Sequence, residues 1–396
     1  MSRSVLVTDG EQRPSLAIVR SLGRAGYRVY VASSERRGMA GASRYCDGEV
    51  LTRNPLGDPG GFVADIDDEI SRRRIDLVIP VTDAALTALL PERGRYPSVC
   101  FPFPSYEIYK AISDKVKVFQ AAAEIGIAVP RQVVLQSPEE LRTLGDDEIA
   151  GPVVMKPGRS VVGNHNGRVH VGVSYAGDRD SLQQALNVLP RSAYPVALQE
   201  RILGPGTGVF ILRWRGRTVA SFSHMRIREK PPAGGVSVYC ESVAIDRRLL
   251  RLSESLLDRF CWEGVAMVEY KIDARTREPY LMEVNGRFWG SLQLAVDAGV
   301  DFPALLLAHA LGESPEPVMS YRTGVRSRWW WGDVDHMLMR VRKSDKQLAL
   351  PADAPSRWKA IRSFLRLWRP GDRSQVYRLR DPGPFVRETL SWLKGL

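Results

Sequence analysis

Cysteine is scarce in this chain, with four in 396 residues, and Cys46, Cys100, Cys240 and Cys261 are too scattered for a metal knuckle or a disulfide framework. They are expected as small core residues in a reducing compartment. No apolar run reaches the ~18 residues that span a bilayer. The opening segment MSRSVLVTDGEQ turns polar too soon for a secretory leader, so a cytoplasmic location is expected. Repeats and low-complexity tracts are absent. The turn after the first apolar run, Thr8 to Pro14, has one glycine and no GxGxxG, which argues against a dinucleotide site there. Excess charge is also missing from most of the chain. Residues 1–320 carry 39 Lys+Arg against 38 Asp+Glu, whereas 321–396 carry 17 against 7. The net charge of +11 therefore belongs to the tail, and the body does not read as a nucleic-acid binder.

What is present begins with length: 396 residues exceed one ordinary core and imply two or three domains. Short β-branched runs at 4–8, 28–32 and 76–81 alternate with helical patterns at 13–25 and 62–73, which predicts an open parallel sheet. Ligands of such sheets bind beyond the carboxyl ends of strands, so Thr8, Asp9, Thr82 and Asp83 either face a substrate or serve as turn and cap residues. The Pro97–Pro104 stretch marks a boundary. A helix capped by Ser113 or Asp114 follows and ends at Gly126, then a strand at 131–136 and a helix opened by Ser137-Pro138-Glu139. Further strands are expected at 153–157, 196–200, 208–214 and 218–223, and a helix at 247–260.

The most informative stretch is 269–287, EYKIDARTREPYLMEVNGR. Two apolar runs joined by a short polar turn predict a hairpin or close strand pair. Glu283, Asn285 and Arg287 alternate, so they share one face, with Glu269 on the neighbouring strand. Two carboxylates and an amide oxygen form a hard-oxygen cluster suited to Mg²⁺, and the arginine suits a phosphate. The competing reading of such alternation is a solvated strand face. Lys156 stands at the end of the VVMKP strand, two residues before GRSVVGNHNG (158–167). Glycines and small polar residues there let backbone N–H groups approach phosphates, although a glycine loop in a hairpin also serves as a plain turn.

The order of these features resembles the ATP-grasp superfamily, specifically carboxylate–amine ligases with a carbamoyl-phosphate-synthase-like ATP domain. The resemblance spans about residues 1–312. It implies an N-terminal open parallel-sheet α/β domain (1–111), an ATP-grasp domain of two α+β subdomains clamping ATP (112–312) and a basic Trp-rich C-terminal extension (313–396). Lys115 and Lys156 match the lysines on the ATP phosphates. The loop containing Gly158, Ser160 and Gly163 matches the phosphate flap, and Gln199-Glu200-Arg201-Ile202 the hinge that reads adenine. Glu269, Glu283 and Asn285 match ligands of two Mg²⁺ ions, with Mn²⁺ as an alternative occupant. Arg287 matches the arginine that stabilises the transferred phosphate, and Arg226 lies where relatives place another near the γ-phosphate and substrate carboxylate. Two departures stand out: Gly286 follows the asparagine where relatives often carry proline, and no acid follows the hinge in Leu203-Gly204-Pro205-Gly206-Thr207. Glu200 remains the candidate ribose contact.

The implied activity is ATP-dependent joining of a small-molecule carboxylate to an amine through an acyl phosphate, releasing ADP and phosphate. Water is kept out by the 158–167 flap and the 228–236 loop. The substrate pocket is expected among the N-terminal strand ends, Arg226, the Arg228–Gly235 loop and Arg287–Ser291. The alternatives are bicarbonate activation or phosphate transfer at the same site, or a silent ATP-binding regulator. The tail holds six of nine tryptophans. Its Ser356–Arg369 segment predicts a basic amphipathic helix with Trp358, Ile361, Phe364, Leu365 and Trp368 on one face. That face either packs on the body or meets an anionic membrane or a carrier protein.

Overall fold

Alternating strand and helix patterns in the first hundred residues fold as crossovers onto one sheet. The computed structural model describes residues 2–145, 152–164, 167–351, 354–367 and 369–395. Strands β1 (Ser4–Val7), β2 (Arg28–Ser33), β3 (Gly48–Leu51) and β4 (Leu77–Ile79) form a parallel sheet in the order β3-β2-β1-β4. Helices α1 (Arg13–Arg24) and α2 (Pro59–Arg73) cross over it. Strand β3 escaped the sequence reading because Gly48-Glu49-Val50-Leu51 is short and only half-buried. The strand-end residues divide in use. Asp9, at φ 56°, accepts from Val81 N (3.2 Å), Thr82 N (3.2 Å) and Thr82 Oγ1 (2.8 Å), which ties the end of β1 to that of β4. Thr82 caps α3 (Asp83–Leu89) by accepting from Ala85 N at 3.2 Å.

Helix α4 (Tyr106–Ile112) leads to α5 (Lys115–Glu124), whose cap is Asp114, and Gly126 at φ 78° turns the chain out of it. The next sheet is antiparallel, with order β5-β10-β6-β9, from β5 (Gln132–Leu135), β6 (Val153–Pro157), β9 (Ser174–Ala176) and β10 (Val196–Glu200). Between β6 and β9, β7 (Val161–Asn164) pairs antiparallel with β8 (Gly167–His170), so the described part of the glycine-rich run carries strand. His165 and Asn166 lie outside the described residues. The helix expected after Ser137 is a 3₁₀ segment over Pro138–Thr143, and α6 (Arg179–Asn187) closes this layer.

A seven-stranded sheet forms the body. Its order is β15-β14-β11-β12-β13-β16-β17, from β11 (Gly206–Trp214), β12 (Arg217–Lys230), β13 (Val236–Ser242), β14 (Gly264–Ile272), β15 (Pro279–Asn285), β16 (Arg326–Arg328) and β17 (Asp372–Ser374). Along β14 the pleat sends Val268 and Tyr270 to the core, where the Tyr270 hydroxyl meets Ser253 Oγ of α7 (Arg247–Arg259) at 2.9 Å. Met267, Glu269 and Lys271 take the opposite face. Helices α8 (Leu292–Ala298) and α9 (Phe302–Ala310) pack beneath, with Leu292, Phe302 and Leu306 fully buried. Each such side chain contributes roughly 1.5–3 kcal/mol. Among the described residues no single helix is long and apolar enough to cross a membrane.

The basic tail is woven into this body: β16 pairs with β13 and β17 with β16. Arg20 of α1 donates to Asp381 Oδ2 at 2.7 Å, and Ser43 Oγ and Arg44 N donate to the same carboxylate at 2.8 Å each. Asp333, in α10 (Trp330–Arg342), is fully buried between Arg228, which donates to both its oxygens at 2.6 Å, and Arg328 at 2.5 Å. Trp331 stacks on Trp392 of α12 (Gly383–Lys394) at 4.1 Å between centroids. The predicted amphipathic helix is shorter: α11 spans Arg357–Leu365. Phe364 is buried, Ile361 is half-buried, and Trp358 and Leu365 are exposed, so those residues do not share one buried face. Trp368 lies outside the described residues.

Candidate active site

A cleft of about 610 Å³ opens between the β6–β10 layer and the seven-stranded sheet, with Asp83 of α3 and Arg13 of α1 reaching into it. Strand pairing sets its centre. Glu269 on β14 stands directly opposite Glu283 on β15, and Met267 opposite Asn285, with a bulge just after Glu269. Glu283, Asn285 and Arg287 alternate and all line the cleft, while Val284 between them turns into the core. Asn285 Nδ2 donates to Glu283 Oε1 at 2.7 Å, and Arg287 Nη2 donates to Asn285 Oδ1 at 3.2 Å. Arg287 Nε also pairs with Asp83 at 2.8 Å, and the same aspartate accepts from the Tyr109 hydroxyl at 2.8 Å.

The electrostatics of the two glutamates differ. Burial pushes Glu269 up, Arg226 pulls it back, and Glu283 and Glu229 push again, leaving it at about 7. Burial also works against the charge of Glu283, but Lys115, the Asn285 amide, Lys156 and Arg287 hold its pKa below the usual value. Burial lowers Lys156 to about 8 against the pull of Glu283 and Glu269, and its ammonium donates to the Met282 carbonyl at 3.1 Å. Lys115, the first residue of α5, donates to Ser160 Oγ at 2.8 Å. Burial opposes the charge of Arg226, yet ion pairs with Glu269 and Glu229 (2.7 Å) raise its pKa.

Among the described residues no three His, Cys, Asp or Glu side chains converge on one point, so a cation here would take two carboxylates and an amide. That donor set fits Mg²⁺. Its oxygens are hard, and two like charges face each other on adjacent strands with no cation of their own except the surrounding lysines and arginines.

Twelve of the fourteen residues singled out from the sequence line this cleft: Lys115, Lys156, Ser160, Gln199, Glu200, Arg201, Ile202, Arg226, Glu269, Glu283, Asn285 and Arg287. Gly158 and Gly163 do not. Gly158 is held away from it, donating to Pro195 O at 2.7 Å and accepting from Lys115 N at 2.9 Å, and the Gly163 carbonyl accepts from Ser192 Oγ. In the hinge, Gln199 donates to Gln132 Oε1 at 2.7 Å, and Glu200 Oε1 accepts from Arg131 N at 2.9 Å. Arg228, expected near substrate, is withdrawn: its charge is spent on buried Asp333. The 228–236 segment is the end of β12 and its turn, not a free loop. Asp83, one of the strand-end residues read as substrate-facing or capping, lines the cleft, whereas Lys271, Arg13 and His224 carry no site role in the sequence reading. Lys271 sits two residues beyond Glu269, so the alternation that linked Glu283 to Asn285 would have found it. Gly286 has a packing reason: a Cβ there would stand 2.5 Å from Trp262 Cη2, and Trp262 is buried.

This architecture matches that of solved ATP-grasp enzymes. Biotin carboxylase from Campylobacter jejuni, in its β-γ-ATP complex, superposes with TM-score 0.65 at 17% identity, over 82% of this chain and 74% of that one. An L-amino acid ligase from Bacillus licheniformis gives 0.60 at 17% identity over 78% and 74%. N5-carboxyaminoimidazole synthetase from Staphylococcus aureus, complexed with ADP, gives 0.61 at 11% over 82% and 81%. Residues 193–331 match the family described as ATP-grasp in the biosynthetic pathway with Ter operon. No curated protein matches the chain by sequence. The fold is therefore that of ATP-grasp enzymes, and part of the chain, residues 193–331, carries the sequence pattern of an ATP-grasp family.

Proposed function

We propose that this chain is a Mg²⁺- and ATP-dependent ligase that activates a small-molecule carboxylate as an acyl phosphate and joins it to an amine. The observation that carries the reading is the direct pairing of Glu269 with Glu283 on a cleft wall that also holds Asn285, Arg287, Lys156 and Lys115. A silent nucleotide-binding regulator has no need of all six.

Glu269, Glu283 and Asn285 would hold Mg²⁺, and Lys115 and Lys156 the phosphates. The backbone of Gln199–Ile202 would face the adenine edge. Bound there, Mg²⁺ offsets the charge between an incoming carboxylate and the polyphosphate. A substrate carboxylate oxygen attacks the γ-phosphorus, the bond to the β–γ bridging oxygen breaks, and ADP and an acyl phosphate result. The amine then adds to the acyl carbon, loses a proton and expels phosphate. Arg287, held by Asp83, and Arg226, held by Glu229 and Glu269, are fixed before reaction, so stabilising the developing charge costs little reorganisation. The β7–β8 hairpin would cover the phosphates, a role supported by the contact of Ser160, just before β7, with Lys115.

ADP release is measured with pooled carboxylic acids and amines, with hydroxylamine present to trap acyl phosphate as hydroxamate. Hydroxamate formation supports the ligase. Bicarbonate-dependent ADP release without hydroxamate favours the reaction class to which the biotin carboxylase likeness points. No nucleotide turnover sinks the reading.

A further inference from the structure

The cleft holds a further cation to which the proposed nucleotide contacts give no role. That cation is Arg13, the first residue of α1. Its guanidinium lies over Trp329 at 3.8 Å, donates to Gln375 Oε1 and reaches the Ser237 carbonyl at 3.4 Å. All of these partners are neutral. Glu388 acts on Arg13 only at a distance, because its carboxylate accepts from Trp329 Nε1 at 2.6 Å. An arginine stacked on an indole and lacking a carboxylate keeps an edge of its fork free for a planar anion.

The surroundings leave that edge open. Gly290 abuts it: a Cβ there would stand 2.9 Å from Arg13 Nη2. The neighbouring Trp289 is buried with its Nε1 unpartnered, and so is His224 with both ring nitrogens unpartnered. The two rings flank Phe210 at 4.4 and 4.7 Å, and both line the cleft. A buried polar group without a partner is destabilising, which is a reason to look for the ligand that satisfies it.

We propose that Arg13 is a specificity-determining residue that seats a carboxylate group of the small-molecule substrate, at the end of the cleft walled by His224, Trp289 and Gly290. The inference rests on the ligase reading of the cleft for calling that ligand a substrate. It also gives the tail a role: Trp329 and Gln375 position the guanidinium, so the C-terminal segment completes the pocket. Arg13 recognises a charge borne by the substrate, distinct from the groups around Glu283 that act on phosphate.

Succinate, with succinamide as its neutral counterpart, is titrated calorimetrically into nucleotide-free and MgADP-loaded full-length protein. Wild type binds succinate and not succinamide. Arg13→Gln weakens succinate at least tenfold while MgADP affinity stays within twofold, and Arg13→Lys recovers part of the loss. Gly290→Ala, which crowds the free edge without touching the charge, weakens succinate as well and guards against a folding defect at Arg13. Equal succinate affinity in wild type and Arg13→Gln, or no succinate binding by wild type, overturns the proposal. Arg13-dependent succinate binding by a protein that binds no MgADP would leave the anchor standing and remove the ligase reading.

Discussion

Glu269 and Glu283 are direct cross-strand partners, two carboxylates meeting on one face of a partly buried ladder. Like charges so placed repel. The fold tolerates the pair by ringing it with Arg226, Lys156, Lys115 and Arg287 and by leaving Glu269 at about 7. A divalent cation would relieve the repulsion, which is why the pair is the strongest sign of chemistry in the chain.

Glu283→Ala removes the member of the pair whose pKa is held below its usual value. ADP release should fall by about a hundredfold or more, in line with deleting one preorganised electrostatic group. Far-UV circular dichroism should match wild type, since the side chain lines the cleft and accepts a hydrogen bond from its neighbour on the same strand face, Asn285. Normal turnover at saturating Mg²⁺ would refute the assignment.

Gly286→Ala forces a methyl group against the buried Trp262 ring. Overpacking of this kind costs about 1–3 kcal/mol. A lowered urea midpoint is expected, with reduced activity because the substituted residue lies between Asn285 and Arg287.

Asp381→Ala strands the Arg20 guanidinium, which is 2% exposed, and removes the acceptor of Ser43 Oγ and Arg44 N. Breaking one side of a buried ion pair costs about 3–5 kcal/mol. Chemical denaturation checks this, and limited proteolysis should cut first in the segment after β17. An unchanged midpoint would mean that the tail is not locked through this contact.

His224 is buried and neutral: burial first, and then the positive charge of Arg226, lower it to about 3 from 6.5. The unfolded chain takes up a proton below pH 6.5 that the folded chain refuses until about pH 3. Its contribution to stability is therefore complete above pH 6.5 and is lost as the pH falls toward 3. His224→Phe should flatten the fall in unfolding free energy between pH 7 and 4.5, read from urea midpoints at several pH values. Parallel curves for the two proteins would exclude this histidine as the cause.

The strand pair around Glu269 and Glu283 was legible because its signal is local. A period of two along 283–287, with an acid on the adjoining run, fixes which side chains share a face. Asp114 as a cap and Gly126 as a stop were legible for the same reason. The Arg228–Gly235 segment was legible in part: Lys230, Pro231, Gly234 and Gly235 line the cleft as expected, but Arg228 does not. Arg228 and Lys230 are answered by Asp333 and Asp335, more than a hundred residues later, which no local pattern reveals. The setting of Arg13 was equally hidden, since it depends on Trp329 and Gln375, far along the chain. The glycines of the 158–167 run were read as phosphate-facing, yet Gly158 is a backbone junction between Lys115 and Pro195, a role that composition cannot distinguish.

Strands β16 and β17 extend the central sheet beyond β13. Trimming the chain after residue 320 would leave the β13 flank bare, an unpaired ladder inviting strand addition from another copy. Self-association of a shortened protein would then report a missing flank, and could not be taken as evidence for a natural dimer.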